Sequence, residues 1–365
     1  MTRIAIIGSG IVGAAIAYEL SLMPGLTIDL FDAQQPGQGA TGAALGILMA
    51  VISQKKQGRG WQLRQRSLER YRTLIPELEK STGQPIPVNR QGLVKLLRED
   101  DGDRWQKLQL TRQSQGYPLE IWDADQVKQK FPALKAEELH GGIYSPWDWQ
   151  IQPQPLTQAL ISAAVRQGVN CHFQTRVKPF PQFSAHGVCQ KIETSKGNFP
   201  VDYVMITAGL GTTPLSQQNA SLEAVIGQAF HLTLPATVPL THTPDWNPVL
   251  TAEDVHLVPL GNQHFWLGAT VEFPADCPHG FPNEQLQAQL WQRAIAYYPF
   301  LEQARILTEW SGKRPRPVGE TAPVIRPLKG YKNVLIASGH YRNGVLLAPA
   351  TAIAAKEWLQ ASVAQ

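Results

Sequence analysis

Three glycines near the N-terminus have the spacing of a phosphate-binding turn. Gly8, Gly10 and Gly13 directly follow an apolar run at residues 4–7, and Asp32 ends a second apolar run 19 residues after Gly13. In such a pattern the first glycine permits a tight turn, the second admits a pyrophosphate, and the third lets a helix pack closely. An acid at the second strand's tip can accept hydrogen bonds from ribose hydroxyls. The pattern therefore predicts dinucleotide binding, with a purely structural turn as the alternative.

A second glycine-rich segment follows at residues 36–48, PGQGATGAALGIL. Small residues let the backbone lie against a flat, bulky group. The alternative interpretation is a flexible surface loop.

A third candidate segment, SGHYRNGVLLAPAT at residues 338–351, places a polar cluster between two apolar runs. Arg342 stands in this cluster, and Arg314 stands in WSGKRPRP. A guanidinium offers a planar fork of donors that pairs with both oxygens of a carboxylate. The alternatives are a surface arginine at 314 and a loop salt bridge at 342.

The elements that position these residues can be read from periodicity. Residues 4–7 and 26–31 read as buried strands, with a helix from 14 to 20 between them. Residues 61–80 and 285–298 have helical spacing, and strands dominate from 225 to 272. Trp147 and Trp149 flank Asp148, and packing at a domain crossing, a lid or a partner surface would each explain them.

Composition narrows the class of protein. The chain has 365 residues, a net charge of +4 and three cysteines without a CxxC pair. Scattered cations argue against nucleic-acid binding, and the cysteines argue against a disulfide framework or a structural zinc site. No apolar run approaches the roughly 20 residues that span a bilayer, and the start is unlike a signal peptide. Cytoplasmic residence is the expectation, and peripheral contact with a membrane stays open.

With these motifs in hand, the chain resembles the D-amino acid oxidase family of FAD enzymes, and within it the glycine oxidase branch. GSGIVG with Asp32, ATGAALGIL, RQGLVKL, SPWDWQIQPQPLTQAL, DYVMITAGLGT, WSGKRPRP and GHYRNGVLLAPAT carry the resemblance over essentially the whole chain. The last of these motifs is the most specific.

The resemblance implies the site residues. It places the substrate-carboxylate arginine at Arg314 and a second active-site arginine at Arg342. The residues it implies for FAD binding are Gly8, Gly10, Ile11, Val12, Gly13, Asp32, Ala40, Thr41, Gly42, Gly46, Ile47, Leu48, Val177, Ala208, Gly209, Arg314, His340, Arg342, Asn343, Gly344, Val345 and Leu346.

Two positions depart from the branch's pattern. His256 stands where its members have a tyrosine that helps hold the carboxylate, and Val271 stands where they have a methionine over the flavin. His256 can still donate a hydrogen bond, although a structural role is an open alternative. Both positions are kept as active-site candidates, and they make the substrate the weakest part of the inference.

The resemblance also implies the fold class. It is an α/β protein with a discontinuous Rossmann-like FAD domain and an α+β substrate domain on a mainly antiparallel sheet. Residues 1–85, 150–220 and 320–365 are assigned to the FAD domain. Residues 86–149 and 221–319 are assigned to the substrate domain.

The implied activity is oxidative deamination of glycine or another small amino acid or amine that carries a carboxylate. The products are a 2-oxo acid, ammonia and, with molecular oxygen as acceptor, hydrogen peroxide. The imine product can supply thiamine thiazole synthesis. FAD is expected to be non-covalent, because none of Cys171, Cys189 and Cys277 lies between 310 and 350. A dehydrogenase with a quinone or protein acceptor, a non-catalytic FAD-binding scaffold and assembly as a homo-oligomer stay open.

Overall fold

A computed structural model describes residues 1–135, 138–180, 187–238, 241, 243 and 245–363 of the chain. Its helices are α1 (Ile11–Ser21), α2 (Gly58–Thr82), α3 (Gly102–Ser114), α4 (Ala124–Lys130), α5 (Pro153–Arg166), α6 (Thr212–Leu215), α7 (Glu284–Tyr297) and α8 (Gly344–Val363). Within the described ranges, no helix combines the length and the apolar composition needed to cross a bilayer.

The strands form two large sheets and two small ribbons. The first large sheet contains β1 (Thr2–Ile7), β2 (Leu26–Phe31), β8 (Asn170–His172), β11 (Tyr203–Ile206), β17 (Val324–Pro327) and β18 (Val334–Ser338). The second contains β4 (Leu93–Leu97), β5 (Glu120–Asp123), β6 (Gly141–Ser145), β12 (Leu222–Thr233), β13 (Val249–Ala252), β14 (Val255–Gly261), β15 (His264–Gly268) and β16 (Arg305–Pro317). The ribbons pair β3 (Val88–Asn89) with β7 (Gln150–Ile151), and β9 (Lys191–Thr194) with β10 (Gly197–Pro200).

The first sheet has the order β17-β18-β11-β1-β2-β8, and its pairs are parallel except for the antiparallel pair β17–β18. Parallel strands are buried on both faces, which is why β1 and β18 read as apolar runs. Helix α1 is buried along nearly its whole length and packs against α5 and α8. The carboxyl ends of the strands carry the turns at residues 8–10 and 339–343, where α/β sheets hold ligands.

The second sheet has the order β16-β12-β15-β14-β13-β4-β6-β5 and is antiparallel except between β13 and β4. Leu290 and Ala294 of α7 pack in one apolar cluster with Leu257 and Leu267 of the sheet. Because that face is covered, the residues on the opposite face of the central strands are free to line a cavity.

The predicted fold class is confirmed: a mostly parallel α/β sheet is joined to a mainly antiparallel one. Every strand of the first sheet lies within the ranges assigned to the FAD domain, and every strand of the second lies within the substrate ranges. The exact domain boundaries remain a prediction.

Trp147 and Trp149 lie where the chain crosses between the two sheets. The ring of Trp147 meets Tyr117 edge-on at 5.5 Å, and Arg72 stacks over Trp147 at 4.6 Å. Arg90 stacks over Trp149 at 5.5 Å. These contacts favour the packing interpretation.

Candidate active site

A large cavity of about 1220 Å³ lies between the two sheets and brings together most of the predicted site residues. Its lining includes Gly8, Gly10, Ile11, Val12, Asp32, Ala40, Thr41, Gly46, Ile47, Val177, Ala208, Gly209, His256, Arg314, His340, Arg342, Asn343, Gly344, Val345 and Leu346. Its volume exceeds that of an ordinary small-ligand pocket, so there is room for a dinucleotide and a small substrate together.

The first glycine turn is built to bring backbone amides close to a ligand. A Cβ on Gly8 would lie 2.6 Å from the carbonyl oxygen of Thr207, and one on Gly13 would lie 1.8 Å from that of Gly8. Helix α1 starts at Gly10 without a side-chain cap on that residue, while Thr41 Oγ1 accepts from the Ile11 amide at 3.0 Å. The positive end of the helix dipole thus faces the cavity, as phosphate binding requires.

Asp32 stands at the tip of β2, where a ribose would be recognised. One carboxylate oxygen accepts from the Ser9 amide at 2.6 Å and the Ser9 hydroxyl at 2.8 Å. The other accepts from the Gln34 amide at 2.9 Å. These bonds fix the carboxylate at the cavity edge with lone pairs still available.

The loop that follows the second glycine segment is held from two sides. Asp148 is buried and accepts from the amides of Ala50, Val51 and Ile52 at 2.7 to 2.8 Å. Arg112 donates to carbonyls of the same loop, Val51 at 2.7 Å, Ser53 at 2.9 Å and Lys55 at 2.8 Å. We call residues 50–55 the clamped loop; two of them, Ser53 and Gln54, line the cavity.

Two buried donors in the cavity wall have no hydrogen-bond partner in the described part of the chain. They are Nε2 of Gln54, on the clamped loop, and Nε of Arg64, on α2. Buried donors are rarely left unsatisfied, so a ligand rich in acceptors fits this wall. A flavin dinucleotide is such a ligand, and the residues present fit it.

Arg314 projects from β16 toward Gly227 of β12, where a Cβ would lie 2.2 Å from Nη2. Its Nη1 donates to the carbonyls of Ile226 and Thr270, each at 3.0 Å. Burial, with the nearby charge of Arg342, lowers the pKa of this guanidinium. No carboxylate of the described residues forms an ion pair with it, so Nε and Nη2 are available to a ligand.

Arg342, predicted as a second active-site arginine, lines the cavity and is paired with a carboxylate. Its Nη2 donates to Asp254 Oδ1 at 2.6 Å, which makes the loop salt bridge that was the alternative interpretation. Burial alone would raise the pKa of Asp254, but the charge of Arg342 overrides it and the pKa is lowered. Both partners line the cavity, so the pair is part of its wall.

His256 lies on β14 and is 7% exposed. Its Nδ1 is 2.6 Å from the hydroxyl oxygen of Thr251. Burial and the charge of Arg342 lower the pKa of His256 to about 3, so the imidazole is neutral at pH 7. A neutral ring can offer Nε2 to a ligand but adds no charge.

Four predicted residues do not line the cavity in the described structure. Gly13 packs α1 against β1, Gly42 lies against Gly37 and Gln154, and Leu48 is fully buried. Val271 lies beyond β15, which ends at Gly268, and beside a buried network, whereas Ala269 lines the cavity. In that network Thr270 and Gln228 donate to Glu272.

Several cavity residues were not among the predicted ones. Asp254 pairs with Arg342, and Lys95 and Arg64 add positive charge. Tyr341 also lines the cavity and has a φ of 53°. Asp254 could have been suggested by its place two residues before His256; the others have no motif of their own.

A comparison with family models decides the class. The model of the DAO family, described as FAD dependent oxidoreductase, matches residues 3–358. The chain belongs to this family. As a family member it is an FAD-dependent oxidoreductase, and the predicted cofactor FAD is confirmed.

Individual relatives are consistent with this family membership. The chain is 29% identical over 357 residues to the glycine oxidase of Geobacillus kaustophilus, covering 96% of this chain and 90% of that protein. It is 31% identical over 352 residues to the bifunctional protein ThiO/ThiG of Synechocystis, covering 95% of this chain. This chain spans only 50% of the length of the ThiO/ThiG protein.

Solved structures show the same fold. The crystal structure of glycine oxidase from Geobacillus kaustophilus superimposes with a TM-score of 0.86 at 26% identity. The match covers 99% of this chain and 95% of that one.

Proposed function

We propose that this oxidoreductase is an oxidase of a small amino acid, or of a small amine that carries a carboxylate. It would convert the substrate with water and molecular oxygen into a 2-oxo acid, ammonia and hydrogen peroxide. The similarity to glycine oxidases supports glycine or a close relative of it as the substrate class.

The observation that carries the proposal is the state of Arg314. The guanidinium is held in place by two carbonyls through Nη1, and its other donors have no carboxylate partner within the described ranges. Such a fixed, incompletely satisfied fork is complementary to a substrate carboxylate.

The neighbouring residues complete the binding of the substrate. Neutral His256 can donate one hydrogen bond to the carboxylate or accept one from the amine. Bound FAD supplies the two-electron acceptor. Amides at the start of α8 stand at the cavity wall, where they can stabilise negative charge.

Anaerobic reduction of bound flavin tests the proposal. The panel contains glycine, sarcosine and D- and L-amino acids, with the amines that lack the carboxylate as matched controls. We expect bleaching of the flavin absorbance only by members that carry a carboxylate. If no member bleaches the flavin, the assignment as an amine oxidase falls.

Mixing the reduced protein with air tests the acceptor. Reoxidation within the turnover time supports oxygen as the acceptor. Reoxidation that takes many minutes favours a dehydrogenase with another electron acceptor.

We also propose that the imine product supplies thiamine thiazole synthesis. Similarity to half of the bifunctional ThiO/ThiG protein supports this role. Restoring thiamine-independent growth to a strain that lacks its own glycine oxidase would test it, with Arg314→Gln as the inactive control.

A further inference from the structure

The charges on the substrate side of the cavity do not balance for a substrate with one carboxylate. Lys95, Arg314 and Arg342 are among the cations that line it, together with neutral His256. Arg104 lines it as well and is paired with Asp101 at 3.3 Å. Asp254 neutralises Arg342, and Glu253 at the same edge is already paired with Arg293 at 2.7 Å. Lys95 and Arg314 therefore stay unpaired in the described part of the chain.

Lys95 stands in the same cross-strand row as His256. Lys95 of β4 pairs with Thr251 of β13, and Thr251 pairs with His256 of β14. Directly paired residues of adjacent strands point to the same face of a sheet. The ammonium group is therefore on the cavity side, in the same wall as His256.

No carboxylate of the described residues forms an ion pair with Lys95, although Asp254 and Glu253 lie near enough to raise its pKa. Burial lowers its pKa, and the charge of Asp254 compensates only in part. Asp254 itself is bound to Arg342 at 2.6 Å. A partly buried cation without a partner at hydrogen-bond distance loses part of its hydration. Contact with an anionic ligand would offset that loss.

We propose that the preferred substrate is a small amine with two carboxylates, one bound by Arg314 and the other by Lys95. This inference rests on the proposed function and specifies its substrate class. Lys95 is then the residue that determines specificity for the second carboxylate.

Matched substrate pairs test the inference on the FAD-loaded protein. Each pair differs by one charge at nearly constant shape: aspartate against asparagine in both enantiomers, and iminodiacetate against its monoamide. We expect the dicarboxylate of at least one pair to have a kcat/KM roughly 10- to 100-fold higher, as for a hydrogen bond between charged groups.

Variants of Lys95 test whether this residue causes the preference for the dicarboxylate. Lys95→Met should bring that ratio close to one, whereas Lys95→Arg should retain most of it. Arg98→Met is the control, because Arg98 follows the same strand, pairs with Glu138 and lies outside the described cavity lining. Equal rates within every pair, or an equal loss for both members in Lys95→Met, would overturn the inference.

Binding separates this inference from the proposed reaction. Perturbation of the flavin absorbance by each ligand, measured without oxygen, gives Kd without turnover. If amines reduce the flavin but dicarboxylates show no preference, only the inference falls. If no amine reduces the flavin but dicarboxylates bind more tightly in a Lys95-dependent way, the proposed reaction falls and only the binding of the second carboxylate by Lys95 stands.

Discussion

At the scale of single residues, Arg314 is the most testable feature of the site. Arg314→Lys keeps a positive charge but loses the planar fork and one or both carbonyl contacts. We expect kcat/KM for the carboxylate substrate to fall roughly 100-fold, and further for Arg314→Gln. Steady-state kinetics with FAD content measured in parallel will check this.

The matched control for Arg314 lies in the same strand. Arg316 pairs with Glu223 and is not part of the described cavity lining, so Arg316→Gln should change kcat/KM little. An equal loss of kcat/KM in the two variants would mean that Arg314 only stabilises strand β16 and does not bind the substrate.

Two buried histidines make the protein's stability depend on pH. Burial lowers the pKa of both His256 and His340 from 6.5 to about 3. Below pH 6.5 the unfolded chain takes up protons that the folded chain does not, so stability is present above 6.5 and is lost toward 3. The loss should reach about 1 to 2 kcal/mol per histidine at pH 5.

Urea unfolding at pH 7 and pH 5 will measure this dependence. His340→Gln should show a smaller difference between the two pH values than the unmodified chain. His279→Gln, at an exposed position, should leave the difference unchanged. An unchanged difference in His340→Gln would contradict the assignment of a buried, neutral imidazole.

Most residues that the sequence predicted for cofactor binding line the cavity, whereas Lys95 and Asp254 line it without having been predicted. Glycine spacing is decided by backbone geometry, so Gly8 and Gly46 are recognisable without a structure. Lys95 and Asp254 meet only because β4, β13 and β14 are neighbours, a pairing between segments about 155 residues apart in sequence. Val271 is not among the described lining residues and stays a prediction, whereas Ala269, two residues earlier, lines the cavity.

At the scale of elements, the clamped loop depends on two buried charges from different segments. Asp148→Ala would leave the amides of Val51 and Ile52 without an acceptor, whereas the Ala50 amide also donates to the Leu48 carbonyl. We expect the free energy of unfolding to fall by at least about 2 kcal/mol. FAD affinity should fall as well, because Ser53 and Gln54 line the cavity.

Denaturant unfolding and FAD titration will measure these two effects. Asp123→Ala is the control, since Asp123 caps the exposed end of α4 and its loss should cost only about 1 kcal/mol. A double-mutant cycle of Asp148→Ala with Arg112→Met should show coupling, because both side chains hold the same backbone. Strict additivity would contradict a shared clamp.

The elements themselves were largely predictable. The predicted helix at 61–80 is found as α2, and the one at 285–298 as α7. The role of Asp148 was not predictable, because an acid between two tryptophans gives no sign that it will accept three amides from a segment almost 100 residues away.

At the scale of the whole molecule, we predict that FAD is held without a covalent bond. Cys171, Cys189 and Cys277 are free thiols, and none of them belongs to the described cavity lining. Acid precipitation should leave the yellow colour in the supernatant. A yellow pellet would contradict the prediction.

A ligand bound between two sheets should also couple their unfolding. FAD at 100 times its Kd stabilises the folded state by about 2.7 kcal/mol if the unfolded chain does not bind it. We expect hydrogen exchange to slow in both β1 and β14 when FAD is added. Protection confined to β1 would show that the second sheet opens independently.

The wall of the cavity is assembled from segments that a ribosome makes far apart in time. The turn at residues 8–10 is made first, the one at 208–211 later, and the segment 339–346 last of all. Until that last segment has left the exit tunnel, β18 cannot join β11 and the wall lacks the start of α8. A chain that lacks residues 339–346, or still holds them in the tunnel, therefore has an incomplete cavity wall.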